Sequence, residues 1–221
     1  IYGTARYKDD KAVAIGIVAT GIMYNKKVFD EKKWAPPTSW KDLKDPKYKK
    51  QLVVPPLNNT YGLHALVEYA REGGGSEKKI DAGFTTFKNE VGPNVLVYEP
   101  SPGKMTELFS SGQAVISVWG SGRAKSFADT GFPVGFVYPQ EGAYALLSSV
   151  CPVAKSATNP LAQAFVQYLV TPEVQEKLAS AYGYGPVNKK AKVEDDPRVP
   201  LPIGKRAADL IVIDWDTVNQ N

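Results

Sequence analysis

Three short stretches of this chain carry residue types that hold small polar ligands: Asn58-Asn59-Thr60-Tyr61, Glu99-Pro100-Ser101-Pro102-Gly103 and Trp119-Gly120-Ser121-Gly122-Arg123. Each follows a short apolar run and precedes a segment with helical spacing. In open α/β sheets, ligands sit beyond the carboxyl ends of strands, where helix N-termini offer free backbone N–H groups. Hydroxyls and amides at such junctions can bond a solute, and a ring such as Tyr61 or Trp119 can stack on it. Arg123 falls in the first turn of its helix, where a positive charge opposes the dipole. That makes it a candidate partner for an anionic ligand group, with a surface salt bridge as the alternative. Taken singly, Asn59, Thr60 and Ser121 are explained by helix capping, and Trp119 fits core packing as well as ligand stacking.

Enzyme templates fail on the same residues. Gly120-Ser121-Gly122 lacks the wider glycine spacing of a nucleophile elbow, and the single histidine, His64, precedes it instead of following. One cysteine, Cys151, excludes an internal disulfide and any multi-cysteine metal site. Set in Leu146-Leu147-Ser148-Ser149-Val150-Cys151-Pro152, it reads as a small buried hydrophobe. Glu194-Asp195-Asp196 reads as a solvated acidic turn, and Gly73-Gly74-Gly75 follows a helix where a phosphate cradle would open one. No catalytic residue, cofactor or metal ligand is assigned, and the chain reads as a binding protein.

The elements that must position these junctions follow from periodicity. Ala12 to Tyr24 is rich in β-branched residues and reads as a strand or two, and Leu52-Val53-Val54 as a short buried strand. After the capping residues Asn58-Asn59-Thr60, Leu63, Leu66, Val67 and Ala70 fall at helical spacing. Ser76 is a candidate cap for a further helix with Ile80, Phe84, Phe87 and Val91 on one face. Strands at 95–98, 114–119 and 134–138 then alternate with helices at 104–111 and 121–129. Two helices with Pro at the first position, 160–170 and 172–182, follow, the second stopped by Gly183. Short apolar strands alternating with amphipathic helices predict an α/β sheet covered on both faces.

Composition is that of a globular chain: 221 residues, 43% hydrophobic and 23% charged, which argues against disorder and disulfide scaffolds. The longest apolar run, Ala12 to Met23, falls short of the roughly 18 to 20 residues that span a bilayer. The net charge of +4 is spread among carboxylates and makes no stripe for nucleic acid, so none is expected as a partner. The chain begins at Ile1 without an initiator Met, and its last residues carry no helix terminator; both ends are read as cut.

Several blocks, in order, resemble the extracellular solute-binding proteins of ABC importers, the group that includes spermidine/putrescine-binding proteins. They are Met23-Tyr24-Asn25-Lys26-Lys27-Val28-Phe29, Pro37-Thr38-Ser39-Trp40-Lys41-Asp42-Leu43, Trp119-Gly120-Ser121-Gly122, Tyr138-Pro139-Gln140-Glu141-Gly142 and Gly183-Tyr184-Gly185-Pro186-Val187-Asn188. The resemblance implies a two-lobed, type II periplasmic-binding-protein-like α/β fold with mixed sheets and less strand than helix, its first lobe incomplete in this chain. Residues 1–19 and 144–221 would belong to the first lobe and 20–143 to the second, with crossing segments at Ala12 to Tyr24 and Tyr144 to Val153. It implies a periplasmic or extracytoplasmic receptor, monomeric when full length, that hands a small solute to an inner-membrane ABC permease. A ligand-sensing domain of a transcription regulator is the alternative.

Carried over residue by residue, Trp119 keeps the aromatic that stacks on the ligand and Ser101 keeps a hydroxyl. Glu141, Tyr144 and Ser148 complete the implied set with Asn59, Thr60, Tyr61, Ser121 and Arg123. Departures matter more. Where polyamine readers of the family carry a Trp and an Asp in the second crossing, this chain has Leu146 and Ser148. The acidic residues expected after the strand at 52–54 are replaced by Asn58, Asn59 and Thr60. Polyamine is the family default, but without anionic partners a carboxylated or polyhydroxylated ligand is the expectation.

Overall fold

The computed structural model describes residues 1–7, 11–153 and 159–220. One six-stranded mixed sheet organises it, in the order β3-β2-β4-β1-β5 with β6 also on β1. The strands are β1 (Val13–Asn25), β2 (Leu52–Val54), β3 (Val95–Tyr98), β4 (Ile116–Gly120), β5 (Val134–Val137) and β6 (Tyr144–Val150). β2 runs parallel to β3 and β4, whereas β1 is antiparallel to β4, β5 and β6. The α/β reading with a mixed sheet stands, and helices exceed strands.

β1 is the axis of the molecule. Its β-branched, glycine-bearing run forms a single 13-residue strand. From Thr20 onward it pairs with β4 and from Ile22 also with β5; from Val13 to Thr20 it pairs with β6. Thr20 is the switch, paired with Gly120 on β4 and with Tyr144 on β6. Side chains alternating along the inner strands feed two cores, as a sheet covered on both faces requires. Ile22, Tyr24, Leu52, Val54, Ile116 and Val118 pack with Trp40, Tyr48 and Tyr69 on one side. Met23, Val53 and Trp119 pack with Met105, Phe109 and Phe127 on the other.

The helices relevant to the site are α2 (Thr60–Glu72), α4 (Pro102–Ser110), α5 (Ser121–Ala128), α6 (Pro160–Leu169) and α7 (Pro172–Tyr182). The shorter ones are α1 (Lys26–Glu31), α3 (Asp81–Thr86), α8 (Gly204–Ala208) and α9 (Trp215–Val218). Asn59 caps α2 and Asn159 caps α6 through their side-chain oxygens, and Gly183 ends α7 at φ +67°. Among the described residues, no helix is long and apolar enough to cross a membrane.

Three expectations need correction. Ser76 caps no helix: its hydroxyl accepts from the Lys78 N–H in a turn, and α3 starts only at Asp81. Phe84 does not face the core but is 48% exposed. The buried residue of α3 is Gly83, which lies against Leu66 and Ala70 of α2, and a π-helical turn at Phe87–Val91 breaks the even spacing. Cys151 is exposed, because β6 ends at Val150 and the chain beyond it borders an open groove.

Candidate functional site

The junction after β4 is built first. Gly120 ends the strand, Ser121 starts α5, and the Ser121 hydroxyl accepts the buried N–H of Ala19 at 3.0 Å. That bond pins the α5 N-terminus to β1 and uses Ser121 structurally. Gly122 and Arg123 follow, the latter exposed and in no ion pair among the described residues. Facing them, the ring of Tyr61 from α2 lies over Gly120, where a Cβ would collide with its phenol. Gly16 of β1 accepts the ring of Tyr184 in the same way. Glycine at these two strand positions lets aromatic rings lie directly on the backbone.

Between these groups is a hollow of about 360 Å³ lined by Val18, Tyr61, Arg123, Ser126, Ser148 and Tyr184, with Gly122, Leu146 and Tyr182 around them. Its floor comes from β1 and β6, its walls from α2, α5 and the chain leaving α7. Among the described residues the polar groups are one guanidinium, two serine hydroxyls and three phenols, with no carboxylate on the wall. Burial pushes the Tyr61 phenol up to about 12, with the Arg123 charge pulling the other way and Tyr184 adding to the rise. Tyr61 is therefore a neutral donor at any physiological pH. Such a set suits hydroxyl-rich or anionic groups and offers nothing to neutralise a buried ammonium. Among the described residues, no group of His, Cys, Asp or Glu is placed to hold a metal ion.

Of the ten residues singled out from sequence, Tyr61, Arg123 and Ser148 meet in this hollow. The others have different surroundings. Trp119 is 2% exposed, packed in the core with its ring centroid 5.5 Å from that of Tyr61. Asn59 accepts the Tyr61 N–H at 2.9 Å, and Thr60 is the half-buried first residue of α2. Ser101 is exposed and caps α4. Glu141 accepts from the Ser39 hydroxyl and, at 3.2 Å, from the Trp40 N–H, fixing the loop before β6. Tyr144 is fully buried and donates to Glu68 at 2.7 Å.

Ser126, Tyr182 and Tyr184 were not among the ten. The signal for the tyrosines was Tyr182-Gly183-Tyr184-Gly185: a left-handed glycine reverses the chain, and Gly185 then pairs with Ile17 of β1. A tyrosine on either side of such a reversal is carried to the strand face. A larger hollow, about 880 Å³ and bordered by Val150, Cys151, Val166 and Val170, is an open, mainly apolar groove.

A mixed sheet crossed by a long strand, with a polar hollow at a strand-to-helix junction, defines an α/β binding fold. Comparison with known proteins makes the class specific. Residues 2–221 match the bacterial extracellular solute-binding protein family, and the chain belongs to that family. It is 26% identical over 182 residues to the spermidine/putrescine-binding periplasmic protein of Escherichia coli strain K12, covering 82% of this chain and 51% of the relative. The chain thus spans about half the length of the curated relatives it matches. A crystal structure of an ABC transporter from Clostridium perfringens superposes with a TM-score of 0.79 at 24% identity, over 98% of this chain and 70% of that one. An ABC transporter substrate-binding protein from Bradyrhizobium japonicum gives 0.79 at 22% identity, over 100% and 69%. The fold is that of type II periplasmic-binding proteins.

Proposed function

We propose that this chain forms part of a periplasmic receptor that captures a small polar solute and delivers it to an inner-membrane ABC permease, without catalysing a reaction. Membership of the solute-binding family supports the receptor role. In this reading β1 and β6 are the crossing segments, with residues 1–19 and 144–221 on one side and 20–143 on the other. The change of partners at Thr20 favours that boundary, because a strand is freest to bend where one set of ladder bonds gives way to another. The full-length receptor acts as a monomer.

The ligand carries a carboxylate or several hydroxyls. One observation carries this: the hollow brings together Arg123 and the hydroxyls of Tyr61, Ser126 and Ser148 and, among the described residues, has no carboxylate on its wall. Related proteins named for spermidine and putrescine make polyamine the competing ligand. Calorimetry on the full-length protein, titrated with putrescine, spermidine, sugar acids and acylated amino acids, separates the two. Heat from an anionic or hydroxyl-rich compound is expected; sub-micromolar polyamine binding that survives Arg123→Ala would overturn the assignment.

A further inference from the structure

Charge is unevenly distributed along this chain. Residues 26–50 contain nine lysines, no arginine and four carboxylates, a formal +5 in a protein whose total is +4, so the remaining 196 residues sum to −1. Two of those lysines converge on one ring. The Lys32 ammonium lies 4.5 Å and the Lys47 ammonium 5.8 Å from the centroid of Trp34, which is half-buried against Phe29 and Tyr48. Lys33 and Lys49, adjacent to that cluster in the chain, are exposed and form no ion pair among the described residues.

Backbone conformation gives an independent sign. Among the described residues only two non-glycine positions have positive φ, and both are lysines of this segment: Lys33 at 55° and Lys50 at 57°. Each ends a short helical turn at a position where glycine is unstrained and a Cβ is not. A lysine can bond terminal carbonyls, but that benefit does not require a left-handed backbone. At Lys50 the ammonium donates to the Val95 carbonyl at 3.2 Å, whereas at Lys33 charge is kept against local preference, as strain is kept at functional positions.

We propose that the surface around Trp34, with Lys32, Lys33, Lys47, Lys49 and Lys50, is a docking face for anionic lipid headgroups at a membrane surface. The choice of residue favours lipid over an acidic protein segment. Lysine is a flexible, strongly hydrated point charge, depleted from protein interfaces, where arginine and its bidentate geometry are enriched. Clustered lysines beside an amphipathic ring match a lipid surface, which attracts diffuse positive charge and seats Trp at headgroup level. Contact there would hold the protein close to a bilayer independently of any ligand in the hollow.

Sedimentation of the full-length protein with vesicles tests this, using phosphatidylcholine alone and phosphatidylcholine with one-third phosphatidylglycerol. Binding is expected only to the anionic vesicles, falling as salt rises from about 0.05 to 0.5 M. Changing Lys32 and Lys49 to Gln should lower the partition coefficient about fivefold per charge, and Lys47→Gln should lower it less, because its ammonium pairs with Asp45 at 2.9 Å. Lys33→Gly should weaken binding likewise while raising the unfolding midpoint, since glycine suits its backbone. Equal binding to neutral vesicles, no binding at low salt, or binding unchanged in these variants overturns the proposal. So does capture by poly-glutamate without capture by vesicles, which would assign the face to an acidic polypeptide.

Discussion

The hydroxyl of Thr20 lies 2.8 Å from Nδ1 of His64, both groups fully buried, at the point where β1 exchanges one set of strand partners for another. The imidazole also stacks on Tyr144, ring centroids 5.2 Å apart, so the single histidine holds strands β1 and β6 to α2. Burial lowers its pKa from 6.5 to about 3. In the unfolded chain this histidine takes a proton below pH 6.5, while the folded protein does not until about pH 3. Stability is therefore full above pH 6.5 and falls as the pH drops towards 3, at up to about 1.4 kcal/mol per unit. With no other histidine present, the loss of stability below pH 6.5 is assigned to His64, and Glu68, whose pKa burial raises from 4.5, acts in the opposite sense. Urea titrations at pH 7, 6 and 5 should show it in the wild type and not in His64→Gln. A parallel slope in the variant would refute the assignment.

Arg123 and Ser148 approach the hollow from different elements, α5 and β6. Arg123 is exposed, so Arg123→Ala should leave thermal stability within about 0.5 kcal/mol. Loss of a charge-assisted bond to an anionic ligand should weaken binding by about 1.5–3 kcal/mol, roughly 10- to 100-fold. Ser148→Ala should cost about 1 kcal/mol. A double-mutant cycle by calorimetry checks both, and near-additive losses would indicate that the two side chains hold separate ligand groups.

Short apolar runs with clear boundaries were the legible part of this fold. Leu52–Val54 and Val95–Tyr98 were read with the strand limits observed, because proline and polar residues bound short apolar runs. What failed depended on neighbours. Phe84 has the spacing of a core residue, but Gly83 allows α2 to approach so closely that the helix turns its small residue inward. The site was half legible for the same reason. Residue type marked Tyr61, Arg123 and Ser148 as ligand-capable, and nothing local shows that the Ser121 hydroxyl is taken by a backbone N–H 102 positions earlier. Tyr182 and Tyr184 reach the hollow through a chain reversal whose direction only the packed structure fixes.

Two glycines can be used to move the rings of the hollow without touching a polar group. In Gly120→Ala the new methyl displaces Tyr61, and in Gly16→Ala it displaces Tyr184. Overpacking of this kind costs about 1–3 kcal/mol, measurable as a lower urea midpoint. The same glycine substitutions should cost less in a Tyr61→Ala or Tyr184→Ala background, since the clash disappears with the ring. If they cost as much without the ring as with it, ring displacement is not the cause.

Helix α6 exposes Leu161 at 79%, Phe165 at 59% and Tyr168 at 57%, and none of its residues is buried. Leu169 and, on α7, Leu178 are only half-covered. Several large apolar side chains on one short helix exceed the scattered exposure normal for a monomer's surface. A polypeptide of these 221 residues expressed by itself should therefore associate or bind a hydrophobic dye, and light scattering should show its mass rising with concentration. Replacing Leu161 and Phe165 with Glu should restore a monomer with little change in stability, because neither side chain packs in a core. A monodisperse wild-type monomer that binds no dye at high concentration would show that this face needs no cover.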